Sequence, residues 1–385
     1  MNRKSSNSTQ KPASKKTLSM ADRISWINLI LCFALLFSLF FLYGLKDQEV
    51  SVAERRKLRQ FPEVSLKRVM NGQFQSDLEP YLADQMPMRS LFLSTASTME
   101  KSLYLHLGDH GLISWHGHLI SLEQVVNEDS LDYAAETLEK IDRKYLQGTD
   151  CQIYLSIIPD KAYFVDDPQY TIMDYEDLTS RVLEQTDFAR YIDIMDTLDL
   201  NAYYSTDSHW NQTRILDTAK TLAHGMNITI EDDLEEKVLK KDFRGVYTGQ
   251  SAWKADQDEL AVLESGQMKD WVVTSYASGK PEKVSVYDLE KADAMDPYDV
   301  FLSGAAGLIT IENPHGEQGR ELVLFRDSFG LSMAPLLASG YEKTTIIDIR
   351  SLPVSQIGKY VDFTNQDVLF LYSTSVLNHS SALKQ

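Results

Sequence analysis

Cysteine is almost missing from this chain: Cys32 and Cys151 are its only two. Cys32 falls inside an apolar run and Cys151 opens a predicted strand, so they cannot pair within one chain. No disulfide framework is available, and both read as small buried hydrophobic residues. Basic charge is also scarce. With 38 Lys and Arg against 56 Asp and Glu, the formal net charge is -18, which argues against nucleic acid or a strongly anionic polymer as a tightly held partner. Neutral or cationic glycans fit better. Metal-ligand spacing is lacking as well. His110, His116 and His118 lie in a glycine-rich predicted hairpin, but no third ligand follows at motif spacing, so they read as turn and surface histidines and no metal or cofactor is expected.

Long hydrophobic runs are absent except for one. Ile24 to Leu45 holds no charged residue and is dense in Leu, Phe and Ile. As a helix at about 1.5 Å per residue it would reach roughly 33 Å, enough for a bilayer core of about 30 Å. The run exceeds a signal-peptide core, and no small-x-small pattern follows it, which favours an uncleaved anchor over a cleaved leader. Residues 1–23 carry Arg3, Lys4, Lys11, Lys15, Lys16 and Arg23 against Asp22 alone. This basic tail places the N-terminus in the cytoplasm and the remaining chain outside. A bacterial cell-membrane protein with one span is the resulting expectation.

What is present is ample apolar material, 43% of 385 residues, enough for a sizeable core. Residues 46–105 alternate charged and apolar positions at helical spacing, with Phe74, Leu78, Tyr81 and Leu82 on one face. They read as a helical neck. From residue 106 onward a helix at Ser130 to Leu146 precedes a near-continuous apolar strand, Gln152 to Ile158. Similar runs recur at Tyr191 to Met195, Leu322 to Phe325, Thr344 to Ile349 and Asp367 to Tyr372, with helical segments between several of them. This alternation predicts a doubly wound α/β domain with a predominantly parallel sheet, its ligands beyond the carboxyl ends of the strands. Residues 231–303 read as an acidic, irregular insertion whose scattered aromatics suit either a glycan wall or a small core.

Two segments carry the chemistry. Thr206-Asp207-Ser208-His209-Trp210-Asn211 offers a carboxylate and an imidazole two residues apart, able to face one side of an extended or turn-like segment. More than a hundred residues later, Arg326-Asp327-Ser328-Phe329-Gly330 follows an apolar strand and opens a predicted helix, which exposes the Ser328 hydroxyl beside backbone N–H groups. A hydroxyl nucleophile, a base and a carboxylate that orients the base form a triad. The bland alternatives are a turn-capping Asp207, a packing His209 and a helix-capping Asp327-Ser328 pair. Trp210 reads as packing or as a substrate wall, and Asn211 to His224 as an amphipathic helix behind it.

Together these residues resemble the DHHW proteins and the alginate O-acetyltransferase-like proteins, in which Asp-x-His precedes the serine of an SGNH-hydrolase-like domain. Further similar pieces are Glu54-Arg55-Arg56, Tyr81-Leu82-x-Asp84, Pro159-Asp160-Lys161, Asp296-Pro297-Tyr298 and Asp348-Ile349-Arg350. Ser303-Gly304-Ala305-Ala306 stands where a Gly-Gly-Asn-like turn would be expected. The resemblance implies a three-layer α/β/α fold, catalytic Asp207, His209 and Ser328, and acetyl transfer to an exopolysaccharide or cell-wall glycan. It also implies a membrane-bound O-acyltransferase partner that supplies the acetyl groups. Lys161, Trp210 and Arg350 are the expected substrate-binding residues. Acetylester hydrolysis by the same triad and a non-catalytic glycan-binding role are the alternatives.

Overall fold

The computed structural model describes residues 20, 25–31, 33–34, 47–51, 56–89, 91–92, 95, 111–251 and 258–385. Most of the expected membrane span, Cys32 and His110 lie outside the described residues. Among the described residues no helix is long and apolar enough to cross a membrane. The chain divides into two compact units, residues 1–50 with 57–89, and residues 51–56 with 90–385.

In the first unit, the helices α1 (Leu66–Met70) and α2 (Gln73–Asp84) follow one another through Gly72, whose φ of 79° suits a residue without Cβ. Ser65 caps α1 by accepting from the Arg68 N–H. The apolar face expected here is narrower than its spacing suggests. Tyr81 is buried against the edge of Phe61, ring centroids 5.3 Å apart, whereas Leu82 is exposed. The Tyr81 hydroxyl donates to Asp47 at 2.8 Å.

The second unit opens with the hairpin β1 (Leu112–Trp115) and β2 (His118–Ser121), as the glycines predict. Helix α3 (Glu128–Ile141) ends in a π-turn, and β3 (Gln152–Ile158) follows with the expected bounds. Then come α4 (Tyr175–Gln185), the two-residue strand β4 (Arg190–Tyr191) and α5 (Leu216–Gly225). The run at Tyr191 to Met195 is thus mostly loop, and the helix expected from Asn211 is interrupted at Ile215 after one 3₁₀ turn. The described residues of this stretch, 231–251 and 258–303, are not irregular. They form the hairpin β5 (Glu235–Phe243) and β6 (Asp258–Glu264), then β7 (Val272–Ser275) and β8 (Glu282–Val284). The final third supplies β9 (Leu308–Glu312), β10 (Glu317–Arg326), α6 (Gly330–Ala338), β11 (Tyr341–Ile347), β12 (Asp367–Ser373) and α7 (Thr374–Asn378).

The main sheet has 8 strands in the order β8-β7-β9-β11-β10-β12-β3-β4. From β11 to β4 all neighbours are parallel, while β9, β7 and β8 close the other edge in antiparallel register. Side chains alternate across this sheet with period two. Leu322, Leu324, Leu369 and Leu371 face one core with α5 and α6. Val323, Phe325, Val368 and Phe370 face the other, with α3 and α4. Both faces are therefore covered, which is why these strands read as continuous apolar runs. The layering is helix, sheet, helix.

Candidate active site

The carboxyl ends of β10, β12 and β3 converge on the candidate site. β10 stops at Arg326, and the next three residues make the turn into α6. Asp327 organises it: one oxygen accepts from the Phe329 N–H at 3.0 Å, the other from the Ser373 N–H at the end of β12 at 2.7 Å. Gly330 has to be a glycine, since a Cβ there would enter the Arg326 side chain. Ser328 is half-buried at the head of this turn. Among the described residues neither its hydroxyl nor its N–H makes a hydrogen bond, whereas the Phe329 N–H is spent on Asp327 and the Gly330 N–H on the Asp327 carbonyl. Of the N–H groups at the start of α6, that of Ser328 is thus the one left to face a developing charge.

The segment from Tyr203 to Trp210 is a loop closed at its neck by a bridge between those two residues. The Tyr204 N–H donates to the His209 carbonyl at 3.1 Å, and the Asn211 N–H to that of Ala202 at 2.7 Å. Within it Asp207 is 1% exposed and bonded on both oxygens. Oδ1 lies 2.7 Å from His209 Nδ1 and also accepts the His209 N–H at 3.1 Å; Oδ2 accepts from the Val246 N–H at 2.8 Å. Such a carboxylate fixes the imidazole with Nδ1 carrying its proton and Nε2 turned outward as a base. Gly245 lets Val246 approach: a Cβ on it would meet Asp207 Cβ and the Thr206 carbonyl.

Two aromatic rings frame the imidazole. Tyr298 stacks on it, ring centroids 4.1 Å apart and planes 13° apart, and Phe329 lies tilted at 5.1 Å. The Tyr298 hydroxyl and Trp210 Nε1 both donate to Ser332 Oγ at 2.7 Å, and that hydroxyl donates to the Phe329 carbonyl at 3.2 Å. The Asp207–His209 pair thereby meets the residue that follows Ser328, through side chains separated by more than a hundred positions.

The expected substrate-binding residues are placed less uniformly. Trp210 is completely buried and packs edge-on against Phe329, so it offers no wall to a substrate. Lys161 is 2% exposed, and its Nζ donates to the carbonyls of Tyr204 and Ser205 at 2.9 and 3.4 Å. Its ammonium is turned into the protein, beneath the loop. Burial pulls its pKa down to about 7 against the pull of Asp207, Asp258 and Asp160. Arg350 follows β11 and grips Asp348 through Nε and Nη2 at 2.9 and 2.7 Å, with 27% of its side chain exposed. Asp348 also takes Arg326 Nη1 at 3.0 Å, and Arg326 Nη2 holds the Ala306 carbonyl. The turn at Leu302, Ser303 and Gly304 has φ of 54°, 61° and 90°, and the Ser303 hydroxyl donates to Asp288. The turn itself, residues 302–306, holds no asparagine.

His118 is buried, whereas His116 is exposed at the hairpin tip with φ of 45°. Cys151 is half-buried and free. The sequence alone assigns no role to Tyr298, Gly245, Asp258 or Ser332. Asp-Pro-Tyr was the signal for Tyr298, and the lone glycine after the Phe243 strand end was the signal for Gly245.

No protein-family model matches the sequence, and no curated protein matches it. Solved structures do. A DHHW family protein from Eubacterium siraeum aligns with a TM-score of 0.57 and 18% identity, over 70% of this chain and 92% of that one. Bacillus cereus PatB1, solved with a sulfonyl adduct, aligns with a TM-score of 0.56 and 17% identity, over 69% and 95%. A second structure of Bacillus cereus PatB1 aligns with a TM-score of 0.55 and 17% identity, over 69% and 96%. At these identities the likeness concerns architecture, and in architecture this chain resembles the DHHW family protein and PatB1 over 70% and 69% of its length.

Proposed function

We propose that this chain is a membrane-anchored, extracytoplasmic O-acetyltransferase of the Ser-His-Asp type, acting on hydroxyls of an exopolysaccharide or cell-wall glycan. The observation that supports it is the Asp207–His209 pair, bonded at 2.7 Å and packed against Phe329 at the start of the Ser328 turn. Apo hydrogen bonds to a nucleophile are commonly open and tighten with substrate. His209 Nε2 takes the Ser328 proton as Oγ attacks the acyl carbonyl, and returns it to the leaving group. An acetyl-serine remains. A sugar hydroxyl then gives its proton to His209 and attacks that ester, and Ser328 recovers a proton from the imidazolium. Asp207 stabilises the imidazolium, and the Ser328 N–H faces the oxyanion in both steps.

Lys161 and Trp210 leave the substrate-binding set, since neither reaches solvent; Arg350 stays in it through its exposed edge. The described residues 25–31 and 33–34 are helical and expose Trp26, Ile27, Ile30, Leu31 and Phe33, as a lipid-facing segment would. A polytopic O-acyltransferase would supply acetyl groups across the membrane. The test is intact-mass analysis of the domain from about Glu49 onward with a small acetyl ester. An adduct on Ser328 that is lost in Ser328→Ala and forms poorly in His209→Ala supports the triad. Adding glycans then separates transfer from release of free acetate, and the absence of both adduct and acetate across several donors overturns the reading.

A further inference from the structure

Lys161 and Asp258 come from distant parts of the chain, the turn after β3 and the start of β6, yet they hold the same two peptide units. In the Tyr204–Ser205 peptide, the carbonyl accepts from Lys161 Nζ at 2.9 Å and the N–H donates to Asp258 Oδ1 at 2.8 Å. In the Ser205–Thr206 peptide, the carbonyl accepts from Lys161 Nζ at 3.4 Å and the N–H donates to Asp258 Oδ2 at 2.8 Å. Each peptide is gripped at both poles by opposite charges. The next residue is Asp207. We infer that Lys161 and Asp258 are positioning residues for the Asp207–His209 pair, a charged clamp on the two peptides that precede it; this rests on the acyl-transfer reading of that pair.

Other roles for the two groups are closed by their surroundings. Among the described residues Lys161 makes no ion pair, because each nearby carboxylate is engaged elsewhere. Asp160 accepts from the Ala162 N–H, Tyr175 and Thr374. Asp207 serves His209 and Val246, and Asp258 serves Ser205 and Thr206. The ammonium instead lies 4.9 Å over the Tyr247 ring. A buried cation held by two carbonyls and a ring, with no substrate-accessible face, has only the loop to act upon. Charge-assisted bonds of this sort exceed neutral ones in strength, which explains an ionised pair where a neutral amide would satisfy the same valences.

The groups facing the ammonium are Asp160 in its own turn, Asp207 in the loop, Asp258 from β6, His118 from β2 and Tyr247. Burial brings the lysine's titration to about 7, so the clamp is fully charged below that pH and loses its positive arm as pH rises. Wild type and Lys161→Met therefore differ most below pH 7.

The experiment measures acetyl-Ser328 formation from a small acetyl ester at pH 6 to 9 in wild type, Lys161→Met, Asp258→Asn and the double variant, with amide hydrogen exchange on each. Each single variant should slow acylation about tenfold or more with KM for the ester unchanged, since the loss falls on the reacting geometry. The double variant should be little slower than the slower single one, because both act on the same peptides. The Lys161→Met deficit should shrink above pH 7. Exchange at the Tyr204 and His209 amides should rise at least about tenfold while β3 and β12 keep their protection. Additive rate losses, a deficit unchanged with pH, or loop exchange equal to wild type would each overturn the clamp. Should wild type form no acyl-serine, the exchange result still decides the clamp while the acyl-transfer reading falls.

Discussion

The imidazole of His209 lies flat on the ring of Tyr298, and the hydroxyl of that tyrosine is tied to Ser332 on α6. The imidazole is thus oriented from two directions, by Asp207 through a hydrogen bond and by Tyr298 on its face. A stacked ring blocks rotation about the His209 side chain.

Replacing Tyr298 separates these contributions. Tyr298→Leu is expected to slow acyl-serine formation about tenfold, as the stack is lost. Tyr298→Phe keeps the stack, removes one buried hydrogen bond and should cost about 1 kcal/mol in urea unfolding with a rate close to wild type.

Asp207 has both oxygens occupied by N–H donors, so an amide in its place must turn one NH₂ toward a donor. Asp207→Asn should reduce acylation by about 10³ to 10⁴-fold and lower the unfolding free energy by about 1–3 kcal/mol for the buried donor left without an acceptor. Pre-steady-state acylation with an activated ester measures it.

Gly245 packs its Cα face onto the backbone of Thr206 and Asp207. Gly245→Ala meets main chain rather than a flexible side chain, so the Val246 N–H must withdraw from Asp207. Loss of more than about 2 kcal/mol is expected, as overpacking of this kind costs 1–3 kcal/mol and a hydrogen bond to a carboxylate goes with it. Chemical unfolding and the acylation rate should fall together.

Arg326 is completely buried and joins the Ser328 turn, the Ala306 carbonyl and Asp348. Arg326→Met should destabilise by about 3–5 kcal/mol, the scale for removing one partner of a buried pair. Burial raises the Asp348 carboxyl, but Arg350 and Arg326 outweigh it and hold it below the usual carboxylate value. With its folded pKa depressed, Asp348 contributes stability that is complete above the ordinary carboxylate range and is lost as pH falls through the folded value. Unfolding free energies of wild type and Asp348→Asn should converge as pH drops below about 4.

How far the sequence reaches can be judged residue by residue. Gln152–Ile158 and Asp367–Ser373 are flanked on both sides by parallel neighbours and covered on both faces, so their uninterrupted apolar runs announce them. The Ser328 turn is legible for the same reason, since the run of β10 breaks at a charged residue. Glu235–Phe243 is mostly charged and Glu282–Val284 has three residues, so neither carries a strong periodic signal. They become strands by pairing with partners that local pattern does not name. Trp210 and Lys161 show a different limit. Their proximity to the motif was legible, but which way each side chain turns depends on Phe329, Ser332 and Tyr204 packing around them.

The position of β10 has a further consequence for how the molecule comes into being. It sits between β11 and β12, both of which follow it in the chain. A nascent polypeptide that has already delivered Asp207 and His209 therefore has no finished centre to its sheet, and no fixed Ser328 turn, until Asp367–Ser373 has arrived to pair with Leu322–Arg326. The Asp207–His209 loop is made first and the Ser328 turn is locked last. Shortening the chain from its C-terminal end by even the last twenty residues would remove Ser373, and with it the anchor of Asp327.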